Sequence, residues 1–543
     1  MRAIGFKNFR KFTNFPMMEF APITIFVGGN NAGKSTVVKG LLSLTDFLKS
    51  MPYGEIEIPY TARERQDVNL DAILKQKKKL LKEQKFYFNT NPYTHIGTFE
   101  RAVNNVCGEE TMTFKSATGN YVFAIEVSKG KEKELPYGFI SKVRVFDTML
   151  NINMDFDLFA DEAKIQMNPL DGSFSEIEYG MQKRYFENLK NPCLFSYAIS
   201  DYWTPDAPSL ITSLMASFNM AITFTLIIPE MPADEVADMP YSFRNSFLTP
   251  KVVEGISDDA LEALKAVGLR SMSNAAYRAE REAYRYMRFD LPAMRYNFSR
   301  GFNIEYIYSH AVSQNVWYVA GATDYLSKTI HEFAPEQNVN HKHQFIKDWM
   351  RKFNIGEDFE IKSVGGEAFR VIITNFDNSK IDLADKGMGT IQLMVLLFRL
   401  AITLPTKRNR RPSPIMQQDR TPRIIIVEEP EQNIHPKLQS LLADLFYEMS
   451  TLGFRFIVET HSEYLVRKTQ VIVKKLAEKT GTLSEKPFKV YYFKSEDNHE
   501  VIEDETIENE FYRDMIYQED GFFANDFDSG FYDQSSTLTR QIL

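Results

Sequence analysis

Two hydrophobic patterns alternate along the chain. "RAIGFKNF" and "MMEF" read as short strands, and "ITIFVG" as a buried strand running into a glycine-rich loop. "KSTVVKGLLSLTDFL" places Val37, Leu41, Leu44 and Leu48 on one helical face. From Thr111 to Asn168 the pattern is strand-like, through "TMTFK", "YVFAIEV" and "KVRVFDTMLNINM", with "SATGN" as a turn. Residues 170–300 mix helical patterns with proline-rich breaks. From Asn303 an α/β alternation returns. "QFIKDWMRKF", "GTIQLMVLLFRLA", "HPKLQSLLADLFYEM" and "YLVRKTQVIVKKLA" read as helices. "FRVIITN", "RIIIVEE", "FRFIVET" and "FKVYYFK" read as strands, and an acidic stretch containing "EDETIENE" follows. This order predicts an α/β head split by a long insertion, with a mixed sheet flanked by helices. The expected parts are an N-terminal lobe with a β-rich subdomain over 1–168 and a mainly helical insertion over 169–302. A C-terminal lobe over 303–485 and a strand hairpin with an acidic tail over 486–543 complete the chain.

Composition narrows the class. The 543 residues are 44% hydrophobic and 25% charged, which suits a globular protein of two or three domains. A net charge of −8 provides no overall basic field for nucleic acid. Cys107 and Cys193 alone make no disulfide framework and no cysteine-rich zinc module. "MRAIGFKNFRKF" lacks a signal-peptide core, and "MAITFTLII" and "IQLMVLLFRLAITL" are too short to span a bilayer. The expectation is a cytoplasmic chain with no membrane partner.

The candidate chemistry begins at Gly28-Gly29-Asn30-Asn31-Ala32-Gly33-Lys34-Ser35, which fits G-x-x-x-x-G-K-[ST] between a strand and a helix. Backbone N–H groups of Gly28, Asn30, Asn31, Ala32, Gly33 and Thr36, with the helix N-terminus, suit phosphate oxygens. Lys34 would reach the outer phosphates and the Ser35 hydroxyl would take a Mg²⁺ position. "IIIVEEPEQNIHP" ends four β-formers in Glu428 and Glu429. Strand alternation would let one carboxylate face Mg²⁺ and the next an attacking water. "FRFIVETHSEYL" ends another strand just before His461, where it would sit near the terminal phosphate. "DLADKGMGTIQLMVLLFRLA" leads an apolar helix with Asp385, Gly387, Gly389 and Gln392. Small residues at a helix start suit a second anion contact, made to a phosphate held by another subunit.

In this order the motifs resemble the head of ABC-type ATPases. The "EEPEQNIHP" form, with His435 where transporters usually carry Asp, resembles the branch containing OLD-family nucleases, RecF and SMC-like proteins. The "FKNFRKF" start, "VETHSEYLVRKTQ" and "GFFANDFDSGFYDQ" are most similar to stand-alone AAA-type ATPases of prokaryotic anti-phage defence and retron systems, such as Septu- or PARIS-like ATPase subunits. The resemblance covers 1–45 and 380–470 strongly, and is absent from 170–300. It implies ATP and Mg²⁺ as cofactors. Lys34 and Ser35 then belong to Walker A, Glu428 is the metal-side acid and Glu429 the catalytic base. Residues 385–392 form the signature segment, 431–436 the D-loop, and His461 is the switch histidine. Arg10 falls where relatives touch nucleotide phosphates. The signature reads "KGMGTIQ" instead of the transporter "SGGQ", and Ser309-His310-Ala311 stands where relatives carry a "PLR"-like step.

The resemblance also implies an ATP-sandwich homodimer, or a higher even-numbered homo-oligomer, that controls a co-encoded nuclease or toxin effector. A RecF-like clamp binding DNA directly is the alternative, and an OLD-like nuclease a third reading. "SNAAYRAEREAYRYMRF" sets Arg278, Arg281, Arg285 and Arg288 on one helical face, a DNA-tracking or merely solvated stripe. No OLD-type nuclease domain is expected around the acids of "DFD" at 526–528, which stand close to the end of the sequence.

Overall fold

The structure is a computed structural model. It describes residues 2–49, 70–88, 96–106, 108–118, 121–148, 151–169, 192–203, 210–222, 304–308, 318–319, 325–366, 368–404, 424–481, 487–494, 510–527 and 532. The chain divides into two units. One contains Met1–Glu19 and Thr36–Phe302, the other Phe20–Ser35 and Asn303–Leu543. The glycine loop therefore belongs with the C-terminal half, although nearly half of the chain separates them in sequence.

The first unit carries an antiparallel sheet. Its strands are β1 (Ala3–Phe9), β2 (Phe12–Glu19), β4 (Lys85–Tyr87), β5 (Thr111–Thr118), β6 (Tyr121–Ser128), β7 (Tyr137–Asp147), β8 (Ile152–Asp157), β9 (Glu162–Met167) and β10 (Cys193–Ala198). The order is β10-β9-β8-β7-β6-β5-β1-β2, with β4 paired to β7. Neighbours along β5 to β10 are neighbours in sequence, as hairpin connections allow. "KVRVFDTMLNINM", expected as one strand-like run, divides into β7 and β8, and Asn151 before β8 takes φ 52°. Pro16 sits on edge strand β2, at the register irregularity opposite Ile4–Phe6, where proline is tolerated. Helix α1 (Lys34–Lys49) buries Val37, Leu41, Leu44 and Leu48, and Gly40 comes close to Phe6 and Phe9 of β1. A Cβ at Gly40 would lie 2.5 Å from the Phe6 ring, so this close packing requires glycine.

The second unit is built on a mixed sheet ordered β11-β16-β17-β3-β18-β19. Its strands are β3 (Ile23–Gly28), β11 (Ile304–Tyr308), β16 (Ile424–Glu428), β17 (Arg455–Glu459), β18 (Phe488–Phe493) and β19 (Tyr512–Met515). Only the β18–β19 pair is antiparallel; the other four pairings are parallel. Every residue of β3 is buried, as a central parallel strand covered on both faces requires. A smaller antiparallel sheet joins β12 (Tyr318–Val319), β13 (Asp358–Val364), β14 (Ala368–Thr374) and β15 (Lys380–Asp382).

Helix α8 (Met388–Thr403) packs against α6 (Tyr325–Phe333) and α7 (Asn340–Lys352) and is apolar nearly all round. Its buried Arg399 donates to Thr329 Oγ1 at 2.7 Å and to the Glu332 carboxylate, and lies over the Tyr325 ring. That pairing lets a cation sit inside a core helix. Helix α9 (Pro436–Thr451) packs against β3, β17 and α10 (Glu463–Thr480). Helices α2–α5 (Leu70–Lys82, Phe99–Ala102, Ile199–Tyr202 and Leu210–Ile222) belong to the first unit. The architecture is thus α/β, with each unit assembled from two separated pieces of sequence. Among the described residues, no helix is long and apolar enough to cross a membrane.

Candidate functional site

Three adjacent parallel strands, β3, β17 and β16, end together, and the candidate residues lie at or just beyond their C-terminal ends. At the end of β3 the chain turns sharply. Gly28 has φ 139°, Asn31 φ 62° and Gly33 φ 112°. A Cβ at Gly28 would stand 2.4 Å from the Phe493 carbonyl oxygen, so both backbone angle and space demand glycine. Asn30 and Asn31 are exposed and Ala32 is buried. Lys34 opens α1 but is only 3% exposed, and its Nζ donates to the carbonyls of Gly28 at 2.9 Å and Gly29 at 2.8 Å. Burial lowers the Lys34 pKa, against the opposing pull of Glu459, Glu429 and Glu431. The loop thus holds a desolvated cation under a glycine-rich turn, suited to a phosphate. Ser35 and Thr36 follow within the first turn of the helix.

The acidic side is built by β16 and β17. Glu428 and Glu459 are register partners at the ends of these strands. The strand stops at Glu428, and Glu429 leaves it at φ 42° with its N–H donating to the Glu459 carbonyl at 2.7 Å. Turn geometry, rather than strand alternation, therefore aims the Glu429 side chain. A positive φ at a glutamate is a strained conformation held by its surroundings. Gln432 Nε2 donates to Glu429 Oε2 at 2.7 Å, and His461 Nε2 lies 3.8 Å from Glu429 Oε1. Burial lowers the His461 pKa, with Lys34 acting in the same direction and Glu429 opposing, which favours the neutral imidazole. The His461 side chain remains 36% exposed, open to a reacting group.

The residues after Glu429 hold this arrangement. Glu431, within the segment expected as a D-loop, is buried and accepts from the His461 backbone N–H at 2.6 Å. Burial raises its pKa. Ser462 caps α10 through Leu465 N–H at 3.2 Å and donates to Gln439 Oε1 at 2.6 Å. His435 caps α9 through Nδ1, which accepts from Lys437 N–H at 3.3 Å. His461 is therefore anchored on both flanks.

Sequence reasoning left Glu459 without a role. Its Oε1 accepts from Ser35 Oγ at 2.8 Å, and burial, then the neighbouring Glu428, pushes its pKa up to about 7. The available signal was the parallel form of the two strands: Glu459 closes "FRFIVE" as Glu428 closes "IIIVE". A divalent cation fits here, because Glu459 is 4% exposed and its Oε2 is buried without a hydrogen-bond partner beside the Ser35 hydroxyl.

Gly387 and Gly389 separate in role. Gly387 is the exposed N-cap of α8, with open space where a side chain would be. At Gly389 a Cβ would come 2.3 Å from the Asn433 carbonyl oxygen, so this glycine admits the Asn433 backbone of its own chain. Asn433 Nδ2 also donates to Gln392 Oε1 at 3.2 Å. Arg10 lies in the β1–β2 turn of the first unit at φ 52°, with its N–H donated to Ala102 O at 2.7 Å. Burial, then Arg101, lowers its pKa. Arg278, Arg281, Arg285, Arg288 and Ser309-His310-Ala311 lie outside the described residues, as does most of 169–302.

Residues 321–466 match the family model described as an AAA ATPase domain. The matched segment contains Gly387, Gly389, Glu428, Glu429 and His461 and leaves out the glycine loop. No curated protein matches the chain. Among solved structures the chain is similar to the SMC head domain from Thermotoga maritima at 10% identity and a TM-score of 0.28, covering 86% of this chain and 92% of that one. It is likewise similar to an Smc head domain with an extended coiled coil bound to the C-terminal domain of ScpA derived from Pyrococcus furiosus. There identity is 10% and the TM-score 0.30, covering 100% of this chain and 98% of that one. Such loose superpositions transfer no residue roles.

Proposed function

We propose that the chain binds and hydrolyses ATP as an SMC- and OLD-like ABC-type ATPase, dimerises on ATP and controls a separate effector. The observation that carries this reading is the convergence of Lys34 and Ser35 with Glu428, Glu429 and His461 at the ends of three adjacent parallel strands. Lys34 exchanges its loop carbonyls for phosphate oxygens, and the loop N–H groups with the α1 N-terminus bind the rest of the chain of phosphates. Ser35 and Glu428 would hold Mg²⁺, which would neutralise charge developing on the phosphates. Glu429 orients the attacking water and accepts its proton, kept in place by Gln432. His461, neutral and half-exposed, donates to the transferring phosphate or its water.

One copy leaves the outer phosphate open on one side. The Gly387 end of α8 in a second copy closes that side, in a two-fold arrangement. Hydrolysis then loosens the pair, so the output is a conformational change passed to an effector. In this reading the effector is a co-encoded nuclease or toxin in anti-phage defence, supported by the resemblance of "FKNFRKF" and "VETHSEYLVRKTQ" to stand-alone defence ATPases. The test is nucleotide binding, turnover and oligomeric state of the purified chain, with and without ATP. Mg²⁺-dependent hydrolysis, an ATP-dependent dimer and intact plasmid and single-stranded DNA support the reading. A chain that binds no nucleotide overturns it.

A further inference from the structure

Glu459 is the one acid at these strand ends that the proposed chemistry leaves unused, and its surroundings are costly. It is 4% exposed, it stands in register with Glu428, and its Oε2 is buried without a hydrogen-bond partner. Carboxylates on neighbouring strands repel, and a desolvated carboxylate oxygen needs a donor or a cation. The nearest buried cation does not neutralise it directly, because Lys34 Nζ is turned to the Gly28 and Gly29 carbonyls. What Glu459 does touch is Ser35, with Oε1 2.8 Å from Oγ.

That separation is itself informative. Two ligands at adjacent corners of a Mg²⁺ octahedron, each ~2.0–2.1 Å from the ion, lie about 2.9 Å apart. Mg²⁺ at phosphate sites takes one or two carboxylates and fills its remaining positions with water and phosphate oxygens. We infer that Glu459 is a direct ligand of the divalent cation at the glycine loop, sharing it with Ser35. This rests on the nucleotide site proposed above and adds a protein ligand to it. Cation binding relieves the repulsion between Glu459 and Glu428.

A structural role makes a different forecast. If the Ser35–Glu459 hydrogen bond only ties the end of the glycine loop to β17, removing the charge alters stability and leaves metal affinity alone. Glu459→Gln retains the shape and an acceptor for Ser35 while removing the negative charge. The experiment titrates Mn²⁺ by electron paramagnetic resonance into full-length protein carrying a non-hydrolysable ATP analogue. Nucleotide binding in EDTA and thermal unfolding in EDTA accompany it, and Lys34→Ala is the reference for loss of the nucleotide site. The expected result is a Mn²⁺ dissociation constant raised at least tenfold in Glu459→Gln. Nucleotide affinity in EDTA and the unfolding midpoint in EDTA should be no lower than in the native protein. If Glu459→Gln unfolds, Glu459→Asp, which keeps the charge but withdraws it by one methylene, should weaken Mn²⁺ by a smaller factor. Unchanged Mn²⁺ affinity in a variant that binds nucleotide overturns the ligand assignment and leaves the nucleotide site standing. Native protein indistinguishable from Lys34→Ala overturns both.

Discussion

The two sheets of this molecule were written into the sequence in different ways. In the antiparallel sheet, β6 alternates buried and half-buried residues along its whole length, and β9 alternates buried residues with half-buried or exposed ones. In the mixed sheet, β3 is buried throughout and β16 and β17 nearly so. An antiparallel strand that shows one face to a core carries a period of two, and hairpins keep its partners close in sequence. A central parallel strand has no such period, and its partners come from far along the chain. The candidate chemistry gathers in the second kind of sheet, at strand ends brought together from residues 28, 428 and 459. The first sheet is a folding problem solved largely in local order. The second is solved only when distant strands meet, and its ends are where the polar groups collect.

If that division is right, substitutions in the two sheets should separate stability from chemistry. The largest effect is expected from Lys34→Ala, which removes the buried cation under the loop. Nucleotide binding should fall below detection while the circular dichroism spectrum stays native, as measured by fluorescent-nucleotide titration. Glu429→Gln should follow, with turnover down ~10²–10⁴-fold, as for a lost general base, and ATP still bound. Gel filtration should then show the ATP-bound dimer persisting, and native turnover in this variant would remove Glu429 from the chemistry. On the other sheet, Phe156→Ala in β8 deletes a fully buried ring. It should cost about 3–5 kcal/mol of stability, seen as a lower denaturant midpoint, with nucleotide affinity unchanged. A large loss of affinity in this variant would break the comparison. The smallest effect is expected from Arg144→Ala. Its partner Asp155 is 3.3 Å away and both side chains are about half exposed, so the loss should be at most about 1 kcal/mol. Chemical denaturation would check it.

The helix α1 shows how far local pattern reaches. Val37, Leu41, Leu44 and Leu48 recur at helical spacing and all are buried. The division of "KVRVFDTMLNINM" into two strands was not visible, because both arms favour β structure and the turn carries no glycine or proline. Gly389 was expected beside a phosphate for its smallness; its closest approach within the chain is to Asn433, which lies far along the sequence. Small size signals close approach by something, and the sequence does not name the neighbour.

By itself the sequence determined the glycine loop, the two strands ending in acids, the histidine after the second, and the helices between them. Those features depend on residue type, spacing and periodicity, which short-range sterics and hydrophobic patterning decide. Tertiary structure alone decided that β17 stands between β3 and β16, which sets Glu459 in register with Glu428 and against Ser35. It also decided that Glu429 leaves its strand at a positive φ, and that Glu431 holds the His461 backbone. Parallel strand order is fixed by long-range packing of strands that are apolar on both faces, and such strands carry no mark of their neighbours.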